Sequence, residues 1–261
     1  MLRMKTILKQ LVNSMLVHFD IEISRHSEVE KLRSYENDFT SLLRLPKDTF
    51  AQLVSLTEES KSQLHQDLFV LAELSFKQGG YFVEFGATNG VDLSNSYLLE
   101  KKFGWSGILA EPAKCWHAAL QANRASHIET RCVFGDSVSV LSFNEVEAAE
   151  LSTIAAYSDS DCHEAARKNG RTYDVQTISL NDLLDKYNAP KLIDYLSIDT
   201  EGSEYEILSN FDFSKYQFSV ITCEHNFTPA REKIFSLLTE NGYSRKYLGF
   251  SKWDDWYVKN T

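Results

Sequence analysis

The segment Tyr81-Phe-Val-Glu84-Phe-Gly86-Ala-Thr-Asn-Gly90 constrains the fold of this chain more than any other. Its apolar start, Tyr81–Phe85, predicts a short strand. Gly86 predicts a tight turn in which the backbone can approach a ligand, and Gly90 lets the following helix come close. The sequence downstream repeats the theme. Asp92–Phe103 predicts a helix stopped by Gly104, Gly107–Ala110 a second strand, Lys114–Asn123 a helix, and Glu129–Phe134 a third strand ending at Gly135-Asp136. Upstream, Leu64–Phe76 predicts a helix ended by Gly79-Gly80. Strands and helices alternating at these lengths build a parallel sheet covered on both faces.

Residues 137–190 interrupt the alternation and read as an insertion over the C-terminal edge of the sheet. Val138–Phe143 and Thr172–Ile178 predict strands, with a polar stretch near 159–170 between them. Ser179–Tyr187 predicts a helix with Ser179 or Asn181 as its N-cap. The alternation then resumes. Ile193–Ile198 predicts a strand ending at Asp199, Tyr205–Leu208 begins a helix, and Phe218–Cys223 predicts a strand ending at Glu224. Arg231–Asn241 predicts a helix stopped by Gly242. Tyr243–Gly249 and Asp255–Lys259 can then pair as an antiparallel hairpin. The expected fold is Rossmann-like α/β, a mostly parallel seven-stranded sheet with a C-terminal antiparallel hairpin. That hairpin separates methyltransferases from dinucleotide-binding dehydrogenases.

The expected organisation is a helical N-terminal extension over 1–60 and one catalytic domain over 61–261, with helical patches at Glu28–Arg33 and Lys47–Leu56. Residues 1–16 show neither a signal peptide's apolar core nor a transmembrane span. Met4, Leu8, Leu11, Met15 and Phe19 instead share one helical face. Such a helix packs on its own domain, on a second subunit in a homo-oligomer, or peripherally on a membrane surface. A net charge of −10 without a basic stripe argues against nucleic acid as a partner. Cys115, Cys132, Cys162 and Cys223 form no CxxC pair and no zinc-ligand spacing, which fits a reduced cytoplasmic protein, free or at the inner face of the membrane.

The spacing E-x-G-x-x-x-G at Glu84–Gly90 differs from the G-x-G-x-x-G that brings a pyrophosphate onto a helix N-terminus. Glu84 would repel a pyrophosphate and attract an ammonium group. By itself the turn is equally compatible with a purely structural role. Glu111, at the end of the second strand and followed by the stiff Pro112, stands where an acid accepts hydrogen bonds from ribose hydroxyls. Asp136, at the expected end of the third strand, could accept from an adenine amino group. Acids at successive strand ends lie together on the crevice side of an open α/β sheet. They predict S-adenosylmethionine as cofactor, held by Glu84, Gly86, Ala87, Asn89, Gly90, Ser94, Glu111, Pro112, Asp136, Ser137 and Asp199.

Asp199 and Glu201 close the fourth strand beside the expected position of the transferable methyl group, and Glu204 suits the first turn of the next helix. Glu224-His225-Asn226 closes the fifth. His225 or Asp199 is the expected general base, with Glu224 orienting the histidine. Asp199, Glu224 and Asn226 would also suit Mg²⁺, a hard cation that takes oxygen ligands. Trp253-Asp-Asp-Trp256-Tyr257 could line a sugar site or simply cover the sheet.

Together these residues resemble the FkbM family of S-adenosylmethionine-dependent methyltransferases. The resemblance runs from Ser62 to Val258 through Ser62–Asp67, Tyr81–Gly90, Gly104–Pro112, Thr177–Asp182 and Ile198–Glu204. It implies a class I methyltransferase fold and O-methylation of a hydroxyl on a small molecule or glycan, often a sugar of a bacterial surface polysaccharide or its precursor. Two other expectations stand beside it. One is a non-catalytic cofactor-binding scaffold in a glycan-assembly complex. The other is a nicotinamide-dependent oxidoreductase, which the missing G-x-G-x-x-G disfavours.

Overall fold

A computed structural model describes residues 26–161 and 163–260. The amphipathic face at Met4–Phe19 and Cys162 lie outside the described residues. Two helices come first, α1 (His26–Leu43) and α2 (Lys47–Leu56), followed by α3 (Gln66–Glu73). Then come β1 (Tyr81–Phe85), α4 (Tyr97–Phe103), β2 (Ser106–Ala110), α5 (His117–Asn123), β3 (His127–Glu129) and β4 (Cys132–Phe134). The insertion contributes β5 (Val140–Glu145), β6 (Thr153–Ile154), α6 (Glu164–Arg167) and β7 (Arg171–Ser179). The chain continues through α7 (Leu180–Lys186), β8 (Leu192–Ile198), α8 (Glu204–Ser209), β9 (Gln217–Glu224), α9 (Ala230–Glu240), β10 (Tyr243–Lys246) and β11 (Asp254–Lys259).

The main sheet has seven strands in the order β10-β11-β9-β8-β1-β2-β3. Its five strands from β9 to β3 pair in parallel, and β11 runs antiparallel between β9 and β10. This is the mostly parallel Rossmann-like arrangement expected, and the hairpin forms with β11 inside the sheet and β10 at its edge. Period-two alternation divides the apolar side chains between the two faces. Val83, Phe85, Ile108, Leu196 and Ile221 project into one core, under α7, α8 and α9. Phe82, Leu109, Tyr195, Val220 and Trp256 project into the other, under α3 and α4. Strands buried on both faces are why these runs read as continuously apolar.

The expected third strand breaks in two. Glu129 ends β3 in the main sheet, and its carboxylate accepts from the Arg131 backbone N–H (3.2 Å), Arg131 Nη2 (2.8 Å) and Lys186 Nζ (2.8 Å). That knot turns the chain, and β4 then pairs with β7 in a separate four-stranded sheet of order β4-β7-β5-β6. The insertion is therefore a second layer built around the β4 departure.

Ser179 caps α7, its Oγ accepting from Asp182 N at 3.1 Å. The helix expected from Asp92 begins only at Tyr97, because residues 92–96 are held by side-chain bonds to β1 and the turn after it, described below. Helix α1 is fastened to the loop between β10 and β11: Asp38 Oδ2 accepts from Gly249 N (2.6 Å) and Phe250 N (3.0 Å).

Candidate active site

The C-terminal ends of β2, β1 and β8 meet in a small crevice of about 70 Å³, lined by Gly86, Thr88, Asn95, Glu111, Pro112 and Asp199. The insertion roofs it with Phe143, Glu150, Ser152 and Ile154. Non-glycine residues with positive φ gather round this edge, Thr88 (46°), Leu93 (60°), Glu201 (59°) and Asn226 (42°). Backbone strain of this kind persists where the surroundings enforce it and concentrates at ligand sites.

Gly86 is required twice over. Its φ is +74°, and a Cβ there would lie 2.1 Å from the Asp199 carbonyl oxygen. The turn after β1 is thus pressed against the end of β8. Gly90, at φ +80°, abuts the Leu120 and Arg124 side chains of the α5 region in the same way.

Glu84 is buried and fully engaged by the turn it precedes. Its Oε1 accepts from Asn95 N (2.7 Å), and its Oε2 accepts from Ser94 Oγ (3.1 Å) and from Ser96 Oγ. The buried Arg124 guanidinium lies 3.9 Å away and itself bonds Gly90 O, Ser94 Oγ and Ser96 Oγ. Glu84 and Ser94 therefore shape the turn through internal bonds, where a direct ammonium contact was expected. Asn89 is likewise local: its Oδ1 accepts from Val91 N and Asp92 N, both at 2.9 Å. Ala87 is fully buried, its N–H donating to Ala110 O. Neither Ala87 nor Asn89 lines the crevice.

Glu111 does line it. Each carboxylate oxygen accepts one backbone N–H, from Ala113 (2.8 Å) and Thr88 (2.8 Å), so both keep a lone pair toward the crevice. Burial pushes its pKa up to about 7. Asp136 and Ser137 are displaced by the jog after β3. Asp136 accepts from Val138 N, Ser139 N and Ser139 Oγ, and Ser137 Oγ accepts from Ser179 N, all in the insertion sheet. Neither lines the crevice, so the expected adenine contact is not made there. Cys132 and Val133 of β4 occupy that wall instead.

The other half of the site is a knot of acids. Asp199, Glu201 and Glu224 bring carboxylate oxygens within 4.8 Å of one another. Asp199 and Glu224 hydrogen-bond each other, and enclosure raises both pKa values, helped by neighbouring negative charge. Glu201 is also raised by burial, although its Oε2 accepts from Arg167 Nη2 (2.7 Å) and Asn226 Nδ2 (3.2 Å). Arg167, from α6, also holds Asp161 bidentately and ties the insertion to the strand end. Asn226 thus serves Glu201 as a donor, and Glu201 takes its place in the oxygen set expected for a cation. Glu204 closes the next turn, its Oε1 accepting from Thr200 N and Gly202 N, both at 3.0 Å.

His225 does not face the crevice. Phe227 N donates to its Nδ1 (2.9 Å), so the ring proton sits on Nε2 and is donated to Asp254 O (3.1 Å). Both nitrogens are occupied by backbone, and burial lowers the ring's pKa to about 4. The general-base expectation for His225 is corrected accordingly. Asp254 begins β11 opposite Glu224 and accepts from Gln66 Nε2 at 2.7 Å. Burial and the Asp199 charge push its pKa up to about 7. Asn95, Gln66 and Asp254 are the residues that sequence reasoning did not single out. Trp256 covers the sheet, stacked on Phe69 at 4.8 Å.

A turn bent by glycine after β1, an acid at the end of β2 and an acid at the end of β8 on this sheet order define a Rossmann-like methyltransferase. The chain belongs to the FkbM family: the Methyltransferase FkbM domain profile matches residues 84–245. Among solved structures, an FkbM methyltransferase from Methylobacillus flagellatus KT is similar over 88% of this chain and 60% of its own, with 14% identity and a TM-score of 0.47. A precorrin-6y C5,15-methyltransferase from Geobacter metallireducens GS-15 is similar over 69% of this chain and 72% of its own, with 13% identity and a TM-score of 0.40. No curated protein matches the chain.

Proposed function

We propose that this protein transfers the methyl group of S-adenosylmethionine to a hydroxyl, on a sugar of a bacterial surface glycan or its precursor. The observation that carries the reading is the convergence of Gly86, Glu111 and Asp199 in one crevice. The residues fit the cofactor. Glu111 offers two fixed lone pairs to ribose hydroxyls, Pro112, Cys132 and Val133 offer apolar contact to a base, and Gly86 brings the turn's backbone to the crevice wall. When bound, S-adenosylmethionine supplies an electrophilic methyl on sulfur. The protein's part is alignment, worth about 7–11 kcal/mol of the barrier, and a proton acceptor, worth about 10²–10⁴-fold.

Asp199 is that acceptor in this reading. A carboxyl raised toward neutrality is a better base than an ordinary one, and the Glu224 carboxyl bonded to it can relay the proton onward. Calorimetry with S-adenosylmethionine tests the cofactor. Wild type should bind it, and Glu111→Ala should bind it about 10–100-fold more weakly. Transfer of labelled methyl to glycan precursors tests the acceptor, and an acceptor-independent binding protein would show the first result without the second.

A second reading is favoured by the 4.8 Å grouping of Asp199, Glu201 and Glu224, which could hold Mg²⁺ and through it the acceptor oxygen. Activity that survives EDTA in metal-free buffer removes it.

A further inference from the structure

A second cavity, of about 450 Å³, opens on the α3 face of the molecule, and the reaction described above does not use it. Its size falls in the range typical of small-molecule sites, roughly 300–1,000 Å³. Leu68, Phe69, Tyr247, Phe250 and Trp256 form its walls, with α1 and α2 closing the far side. Phe50 and Val54 stand at its rim with 41% and 54% of their surfaces exposed. Large apolar side chains left exposed round an apolar hollow mark a binding surface.

The cleft is a separate hollow from the acid-lined crevice, with no lining residue in common. Asp254 and Trp256 lie on one face of β11, two residues and therefore about 7 Å apart. Trp256 walls the cleft, and Asp254 lines neither hollow. The Gln63–Gln66 loop is tied to this stretch, with Gln66 bonded to Asp254 and Gln63 to Trp253. Lys252 lines the cleft, and its ammonium lies 5.3 Å from the Trp253 ring. It makes no ion pair among the described residues, in a chain of net charge −10.

We propose that this cleft takes an amphiphile whose linear hydrocarbon tail lies against its apolar walls and whose anionic group meets Lys252. An apolar hollow of this size with an ammonium on its lining matches that pairing of groups. The tail and the anionic group rest on the cleft alone and go beyond the methyl-transfer reading.

The test uses the full chain and hexyl, octyl and decyl phosphate below their micelle concentrations, with binding followed by tryptophan fluorescence. Each added methylene should tighten binding about fourfold if the tail is buried. Inorganic phosphate should bind negligibly. Lys252→Glu should weaken the alkyl phosphates about fivefold and leave decyl β-glucoside unchanged. Ala72→Trp, which fills the cleft, should abolish the chain-length series while S-adenosylmethionine still binds, and Val54→Asp at the exposed rim should flatten it. A flat series in the wild type overturns the proposal, as does inorganic phosphate binding as tightly as decyl phosphate. So does a homodimer that the probe dissociates, which would give the cleft to a second copy, or a cleft that admits no probe. None of these measurements needs methyl transfer, so failure of the hydroxyl reading would show separately, as absent transfer with intact tail binding.

Discussion

The acids on the two sides of the crevice are of the same chemical kind and are treated in opposite ways. Glu84 and Glu111, after the glycine turn and at the end of β2, are answered by fixed N–H and O–H donors. Asp199, Glu224 and Asp254, from β8, β9 and β11, are answered largely by one another. Carboxylates fixed by donors hold geometry, although burial still pushes Glu111 up to about 7. Buried carboxylates facing each other hold protons. One side is fixed in geometry by its donors, and in the proposed reading the other accepts the proton.

Asp199→Asn strikes that difference hardest. Turnover should fall about 10²–10⁴-fold while S-adenosylmethionine affinity changes no more than a few-fold, read from kcat beside calorimetric Kd. An equal loss in both would erase the distinction between the two sides. Glu84→Gln should act the other way, through the fold. It weakens the bonds from Asn95 N, Ser94 Oγ and Ser96 Oγ, while Arg124 keeps Glu100 at 3.0 Å, and costs about 1–3 kcal/mol of stability, measured by denaturant unfolding.

The third prediction concerns pH. Glu111 and Asp254 are both pushed up to about 7 by burial, so between pH ~4 and ~7 the folded chain holds protons that the unfolded chain has released. Their contribution to stability is complete below the unfolded carboxyl range and is lost as pH rises through about 7. The melting temperature should therefore fall on going from pH 5 to pH 8, about 2–4 °C for each kcal/mol. Asp254→Asn should flatten that slope. The smallest effect belongs to His225→Gln. Saturated turnover and its pH profile should stay within about twofold of wild type, with the loss confined to about 1–3 kcal/mol of stability from broken buried hydrogen bonds.

Much of this was legible in the chain itself, and the reasons are local. β1, its Gly86 turn, the Glu111-Pro112 strand end and the Asp199 strand end each announce themselves as an apolar run closed by glycine or an acid. The seven-stranded order follows from the alternation and the final hairpin. Asp136 was misleading because Glu129–Phe134 reads as one strand. The break depends on a carboxylate folding back on Arg131 and reaching Lys186 far along the chain. His225 was misleading because its partners are backbone groups, which carry no residue-specific signature. Asn95, Gln66 and Asp254 were missed because the bonds that bring them to the edge, to Ser197 and to each other, span up to 188 positions of sequence.

The contact of Gly86 with the Asp199 carbonyl has an evolutionary side. A turn seated so tightly on a neighbouring strand end leaves no room for the two to drift apart by successive small changes. Changes in the roof from 137 to 170 leave that contact untouched, so the turn and the strand end are inherited as a single part.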